Sequence, residues 1–290
     1  MNLSKNTSLI LLHIIIIIWG FTGVLGKLIS LNSDVVVWNR MSIAFIALFL
    51  IQITQRKQLI VNLKTFYKYC LIGLLIAIHW ICFFEAIKLS TVSLALICLS
   101  SISLFTAILE PVIQKKKVLK YEILLSLLVI IGIVMVFNYE TLYAKAIFLS
   151  ILSAFFGALF TILNHNLINS NHNAMTITTW EMFGGSIGIT IYLMLKNDLN
   201  TSIIPIGTDL IYILILALIC TGFAFYASVE VMKKITPFTV NLSVNLEPIY
   251  AIILAIIVFG EEEKMSNGFY LGAIIIFFSI LLNTFIKQKK

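Results

Sequence analysis

The sequence predicts an all-α integral membrane protein of about ten transmembrane helices, arranged as a 5+5 inverted-topology repeat. Three observations carry that expectation. The 290 residues are 60% hydrophobic and only 11% charged, with a mean hydropathy of +1.06, which lies outside the range of water-soluble domains. The apolar residues fall in runs of roughly 20, the length that crosses the hydrocarbon core as a helix. Residues of the first half also reappear in order in the second half, at offsets of 141 to 146 residues.

The runs lie at about 9–29, 35–54, 70–87, 92–113, 122–138, 146–168, 175–195, 210–232, 238–259 and 268–286, joined by short polar turns. The first begins after Lys5 and continues past Trp19 and Gly20 without a small-residue cleavage site, so it reads as a spanning helix and not a leader. Lys5, the 56–68 segment, Lys115 to Lys120, Lys233 with Lys234, and Lys287 to Lys290 fall on one side. Lys27, Lys88, Lys145, Lys196 and Lys264 fall on the other, a split of roughly 14 against 5 that predicts both termini on the cytoplasmic side of the cell inner (plasma) membrane. The net charge of +7 therefore reads as a topology signal, and nucleic acid is not an expected partner. Cys70, Cys82, Cys98 and Cys220 are scattered in apolar runs without a CxxC, so neither disulfide nor metal site is expected.

A shift of about 146 residues lays Ser93 on Thr239, Leu96 on Leu242, Ser101 on Glu247 and Leu119 on Met265. Glu85 and Lys88 likewise match Glu230 and Lys233, and the Trp38–Met41 stretch falls over Thr179–Met182, pairing Arg40 with Glu181. Two halves of about five helices each enter the bilayer from opposite sides, residues 1–140 forming the first and 141–290 the second.

The run 238–259 carries Thr239, Asn241, Ser243, Asn245, Glu247, Pro248 and Tyr250, groups that need partners in hydrocarbon. Asn241, Asn245 and Pro248 recur at helical spacing, so one continuous helix would put them on one face, the wall of an internal pathway. Pro248 is expected to disturb the backbone at Val244.

The stretch Asn241 to Pro248, an aliphatic run ending at Phe259, Gly260 and Glu261, and a last helix with Gly272 resemble the EamA-type repeat of the drug/metabolite transporter superfamily. Trp19, Gly20 and Ser93 to Glu110 with the following lysines carry the same resemblance in the first half. The resemblance implies an inner-membrane transporter, in most relatives an exporter of amino acids or other small metabolites, working by alternating access. The first half departs from the pattern with Ser101 and Ile102 in place of Glu247 and Pro248, and with Gln114 and Lys115 in place of Gly260 and Glu261. Its only proline in the fourth run is Pro111, so the kink of that helix is expected near the cytoplasmic end.

Candidate substrate-binding residues are His79, Trp80, Ser100, Ser101, Tyr226, Asn241, Asn245 and Glu247. Arg40, Glu181 and Pro248 are candidates for gating or coupling, because a lone arginine or carboxylate at membrane depth must be paired or solvated. Trp19 and Trp180 are expected along the pathway, and Tyr67, Tyr69, Tyr121, Tyr143 and Tyr270 at the interfaces. Glu85 with Lys88 and Glu230 with Lys233, one turn apart at helix ends, read as structural ion pairs or as side chains snorkelling to the interface. Gly20, Gly23 and Gly26, and Gly184, Gly185 and Gly188, read as faces for close packing. No GxxxxGK[ST], HExxH or GxSxG occurs, so transport is expected to be gradient-driven or facilitated, and the chain is not expected to be an enzyme or to carry a cofactor. Expected partners are a small-molecule substrate, the lipid bilayer and a coupling proton, in a monomer or homodimer. A sugar-phosphate or nucleotide-sugar carrier is the alternative within transport; a membrane-embedded enzyme or scaffold is the alternative outside it.

Overall fold

The computed structural model describes residues 4–55, 59–117, 120–198 and 203–288, and among them contains helices and no strand. The lysines and arginine at 56–57 and 289–290, and Leu119 of the repeat match, lie outside the described residues. The crossings are α1 (Lys5–Leu28), α2 (Ser33–Thr54), α3 (Leu63–Leu89), the pair α4 (Val92–Leu99) and α5 (Ile102–Gln114), α6 (Lys120–Tyr139), α7 (Ala144–Asn169), and α8 (Ala174–Lys196). Then come α9 (Gly207–Ile215) continuing through a π-helical segment Leu216–Phe223 into α10 (Ala224–Val231), the pair α11 (Pro237–Val244) and α12 (Glu247–Phe259), and α13 (Asn267–Gln288). Eight of these spans are long and apolar enough to cross a membrane. The 23-residue α8 is diluted by Thr176, Thr178, Thr179 and Glu181, and α13 completes the set.

Short turns start the next helix with a capping side chain. Asn62, Thr91, Asn173 and Thr236 accept from backbone N–H groups two or three residues on, each cap contributing about 1 kcal/mol. Ten crossings return the chain to its starting face, called here the termini face. The lysines sort by face as the sequence predicts, with Lys27, Lys88, Lys145, Lys196 and Lys264 at helix ends on the far face.

The halves pack as inverted counterparts. α1 lies on α12 as α7 lies on α4 and α5; α3 lies on α7 and α8 as the α9–α10 crossing lies on α1 and α2; α2 meets α8, and α6 meets α13. Gly20, Gly23 and Gly26 approach Tyr250, Val92 and Phe84, and Gly184, Gly185 and Gly188 approach Cys70, Met41 and Leu74, so both glycine faces serve close packing.

Three expectations are corrected. The fourth crossing does not bend near Pro111, which lies inside α5; it breaks at Ser100–Ser101, in the register where the ninth breaks at Asn245–Leu246. At both places N–H groups reach carbonyls three residues back, a 3₁₀-type turn. Ser100, Ser101 and Ser103 support the first break by donating to Leu96, Cys98 and Ser100 carbonyls. Because α11 ends at Val244, Pro248 does not share a continuous face with Asn241 and Asn245. It sits in the first turn of α12, where its missing N–H has no intrahelical acceptor to lose. Glu85 and Lys88 are not a pair: Glu85 accepts from Ser33 Oγ, and the Lys88 ammonium donates to the Ile29 and Leu31 carbonyls, closing the end of α1. Tyr69 is buried and bonded to His172 Nδ1 in the turn between α7 and α8, at the termini face. Glu230 and Lys233 do pair, at 2.6 Å.

Candidate functional site

A cavity of about 70 Å³ lies where α1, α2, α3, α7 and α10 meet the two broken crossings. Arg40, His79, Trp80, Asn241 and Glu247 line it together with Trp19. Met232 and Val240 carry the lining to the termini-face turn between α10 and α11, whereas its highest residues toward the far face are Thr22 and Phe83.

Arg40 is 1% exposed and lies inside the bundle. Its guanidinium carbon is 3.9 Å from the Trp80 ring centre and 5.7 Å from that of Phe84, cation–π contacts worth about 2 kcal/mol when desolvated. Its Nε donates to Thr221 Oγ1 at 2.5 Å, while that hydroxyl donates to the Leu216 carbonyl five residues back. The π segment thus turns a threonine lone pair toward the arginine, a use of π geometry frequent at functional sites. Nη1 of Arg40 is buried without a partner. A buried donor of this kind is costly unless a ligand accepts from it.

The His79 Nδ1 donates to the Ser153 carbonyl at 2.8 Å, and Ser153 Oγ donates back to the His79 carbonyl at 2.9 Å. A carbonyl can only accept, so the ring proton is on Nδ1 and Nε2 remains an acceptor. Glu247, 6% exposed, stands at the start of α12, where the helix terminus favours a carboxylate. Asn241 lines the cavity and donates to Thr106 Oγ1 at 2.8 Å, and Asn245 donates to Ser103 Oγ at 3.1 Å. These amides stitch the second half to the first, the role polar side chains take between membrane helices.

The other candidates lie around this core. Ser100, Asn245 and Pro248 share with Glu247 a narrow crevice beside the cavity. Ser101 is spent on the helix break, Tyr226 is half-buried against the hydrophobic core, and Glu181 stands behind the wall, linked to the cavity-lining Asn164 at 3.4 Å. Trp180 lies with Phe45, Phe49, Phe66 and Phe183 and donates to the Leu59 carbonyl. Sequence reasoning missed Asn164, Thr221, Phe160 and Phe225. Asn164 was open to the rule that singled out Asn241, an amide in an apolar run; the two phenylalanines carry no signal separating them from core.

The arrangement offers one cation, one carboxylate, an imidazole acceptor and two amides inside aromatic walls, and among the described residues no cluster able to hold a metal ion. That suits binding and passage of a small polar molecule. A solved structure described as "Crystal structure of protein" superposes with a TM-score of 0.73 at 13% identity, covering 98% of this chain and 99% of that one; this likeness establishes the fold alone. No curated protein matches by sequence. The profile of the EamA-like transporter family matches residues 6–138 and again residues 144–285. Two matches in tandem span nearly the whole chain, and the protein belongs to the EamA-like transporter family.

Proposed function

We propose that this multi-pass transporter is a secondary exporter of small carboxylate-bearing metabolites such as amino acids, working by alternating access. The observation that carries the reading is the buried, unpartnered Nη1 of Arg40 beside the cavity, held in place by Trp80 and Thr221. A cargo carboxylate would accept from it. Glu247 and His79 Nε2 would take an ammonium, and Trp19, Trp80, Phe160 and Phe225 would cover an apolar body. The inverted halves supply the two-state element, since rocking one against the other moves access from face to face. The lysine bias supports placing the protein in the inner (plasma) membrane with both termini cytoplasmic.

The sugar-phosphate and nucleotide-sugar reading is weaker. Arg40 is the one Lys or Arg among the lining residues described, and phosphate recognition calls for several donors of that kind. Counterflow of radiolabelled amino acids in proteoliposomes, alongside metabolite profiling of cells lacking the protein, tests the proposal. A saturable exchange abolished in Arg40→Gln and a cognate amino acid retained inside the deleted cells are expected. Absence of saturable flux across the amino-acid panel, with flux of a phosphorylated sugar, would overturn it.

A further inference from the structure

Behind the cavity wall, Asn164 on α7 and Thr178 and Glu181 on α8 each carry a buried side-chain oxygen that has no hydrogen-bond partner: Asn164 Oδ1, Thr178 Oγ1 and Glu181 Oε1. Glu181, Asn164 and Thr178 are all fully buried. Thr178 and Glu181 are one turn apart on α8 and share a face, and Asn164 Nδ2 donates to the other Glu181 oxygen at 3.4 Å. Among the described residues no lysine, arginine or histidine pairs with Glu181. The neighbouring titratable groups are otherwise engaged: the Tyr69 hydroxyl is bonded to His172, Cys70 Sγ donates to the Trp180 carbonyl, and His165 is contacted by Gln114 and Asn169. Helix α3 closes the remaining side so tightly that a Cβ at Gly73 would stand 2.0 Å from the Glu181 carbonyl oxygen.

Unsatisfied oxygens without donors are a site for positive charge, and a carboxylate kept bare of cations inside a bundle costs several kcal/mol. We propose that Glu181, Asn164 and Thr178 form the coupling-ion site, taking a proton or a sodium ion as the monovalent cation whose gradient drives the carrier. The oxygen donors suit either hard cation. Asn164 has one side on the cavity and the other on Glu181, so it links ion occupancy to the cargo space. The inference rests on the transporter reading but is tested without cargo.

The test uses purified full-length protein, and its probes are acid and sodium chloride. A proton site would give an infrared carboxylic-acid C=O band that titrates with pH, is lost in Glu181→Gln and remains in Glu247→Gln. A sodium site would give saturable stabilisation by sodium, against choline, that Glu181→Gln and Asn164→Leu abolish. Either result supports the proposal and names the ion. If Glu181→Gln leaves both the band and the sodium response at wild-type level, or if neither signal exists in the wild type, the proposal is overturned.

A second, independent observation concerns the far face. Glu263, 1% exposed, accepts from Val92 N at 3.1 Å, Ser93 N at 3.0 Å and Ser93 Oγ at 2.7 Å, and pairs with Lys27 at 2.9 Å. The single oxygen Oε1 joins the end of α1 to the first turn of α4. One turn below Lys27, Gly23 abuts the Val92 side chain, where an added Cβ would meet it at 2.9 Å, next in sequence to the cavity-lining Thr22. We infer that Glu263 is the latch of the far-face gate. Thiol labelling of Thr22→Cys in oriented vesicles with a membrane-impermeant reagent tests this, reading the increment over protein lacking that cysteine. Adding Lys27→Met or Glu263→Gln is expected to speed labelling from the far face about tenfold without changing labelling from the termini face. Lys27→Met leaves the carboxylate on the α4 N–H groups, so it carries the test if Glu263→Gln does not fold. Unchanged far-face labelling, or equal acceleration from both faces, would overturn the latch.

Discussion

The Arg40 guanidinium sits over Trp80, its central carbon 3.9 Å from the ring centre, with its Nε on Thr221 and Nη1 left without a partner. Two protein contacts hold the cation and one donor edge remains for a ligand. Arg40→Lys keeps the charge but cannot reproduce the planar donor set or the stacking. Loss of one charge-assisted contact is about 1.5–3 kcal/mol, so apparent affinity for a carboxylate cargo is expected to fall roughly 10- to 100-fold. Counterflow with Arg40→Lys, Arg40→Gln and wild type measures it, and retention of wild-type affinity in both variants would remove Arg40 from the binding site.

Asn245 and Ser103 join the two halves at the helix breaks. Interhelical hydrogen bonds in membrane bundles average about 0.6 kcal/mol and reach about 1.7. A double-mutant cycle with Asn245→Leu and Ser103→Ala, read by unfolding in mixed micelles, should return a coupling energy within that range. A coupling of zero would mean the amide does not hold the halves together. Unimpaired transport in Asn245→Leu would assign it to packing alone.

Gly73 permits the approach of α3 to α8. Overpacking a tight contact costs about 1–3 kcal/mol, and the helix propensity gained in Gly→Ala is smaller, about 1 kcal/mol. Gly73→Val is therefore expected to lower the melting temperature, and Gly73→Ala to do so less. A melting temperature raised by valine would show that the contact can open freely.

His172, in the turn between α7 and α8, has its pKa lowered by desolvation, with Lys68 nearby adding to the effect. A histidine with a depressed folded pKa binds fewer protons folded than unfolded, so its contribution is fully present above the unfolded value, near 6.5, and is lost as pH falls through the folded value. Melting temperature should drop on acidification from about pH 7, and less steeply in His172→Gln. Parallel pH curves for the two proteins would rule the residue out as a source of acid sensitivity.

Much of the fold was legible because hydrocarbon imposes a simple rule: every backbone group must be satisfied within its own segment, so apolar length translates directly into helices. The repeat was legible in matched residues, Glu85 and Lys88 with Glu230 and Lys233, and Ser93 and Ser101 with Thr239 and Glu247. Pro248 marked its break correctly, since α11 ends at Val244, whereas Pro111 did not, because it lies inside α5 without interrupting it. The fourth crossing breaks instead where serine hydroxyls could take up freed carbonyls. Arg40, His79, Trp80, Asn241 and Glu247 were recognisable by their cost in lipid, and the structure gathers all five around one cavity.

The amino-acid sequence by itself determined the number of crossings, the two matching halves, and the polar groups that must be sheltered, because burial cost and helix length are properties of a single segment. Only the tertiary structure decided which sheltered groups face one another: Arg40 on Trp80 and Thr221, Asn245 on Ser103, Glu263 on Lys27 and α4, and Glu181 apart from the cavity with Asn164 between. Partners 17 to 236 residues apart in the chain are chosen by close packing of whole surfaces. That choice depends on the shape of every neighbouring side chain at once, and no single run of residues contains it.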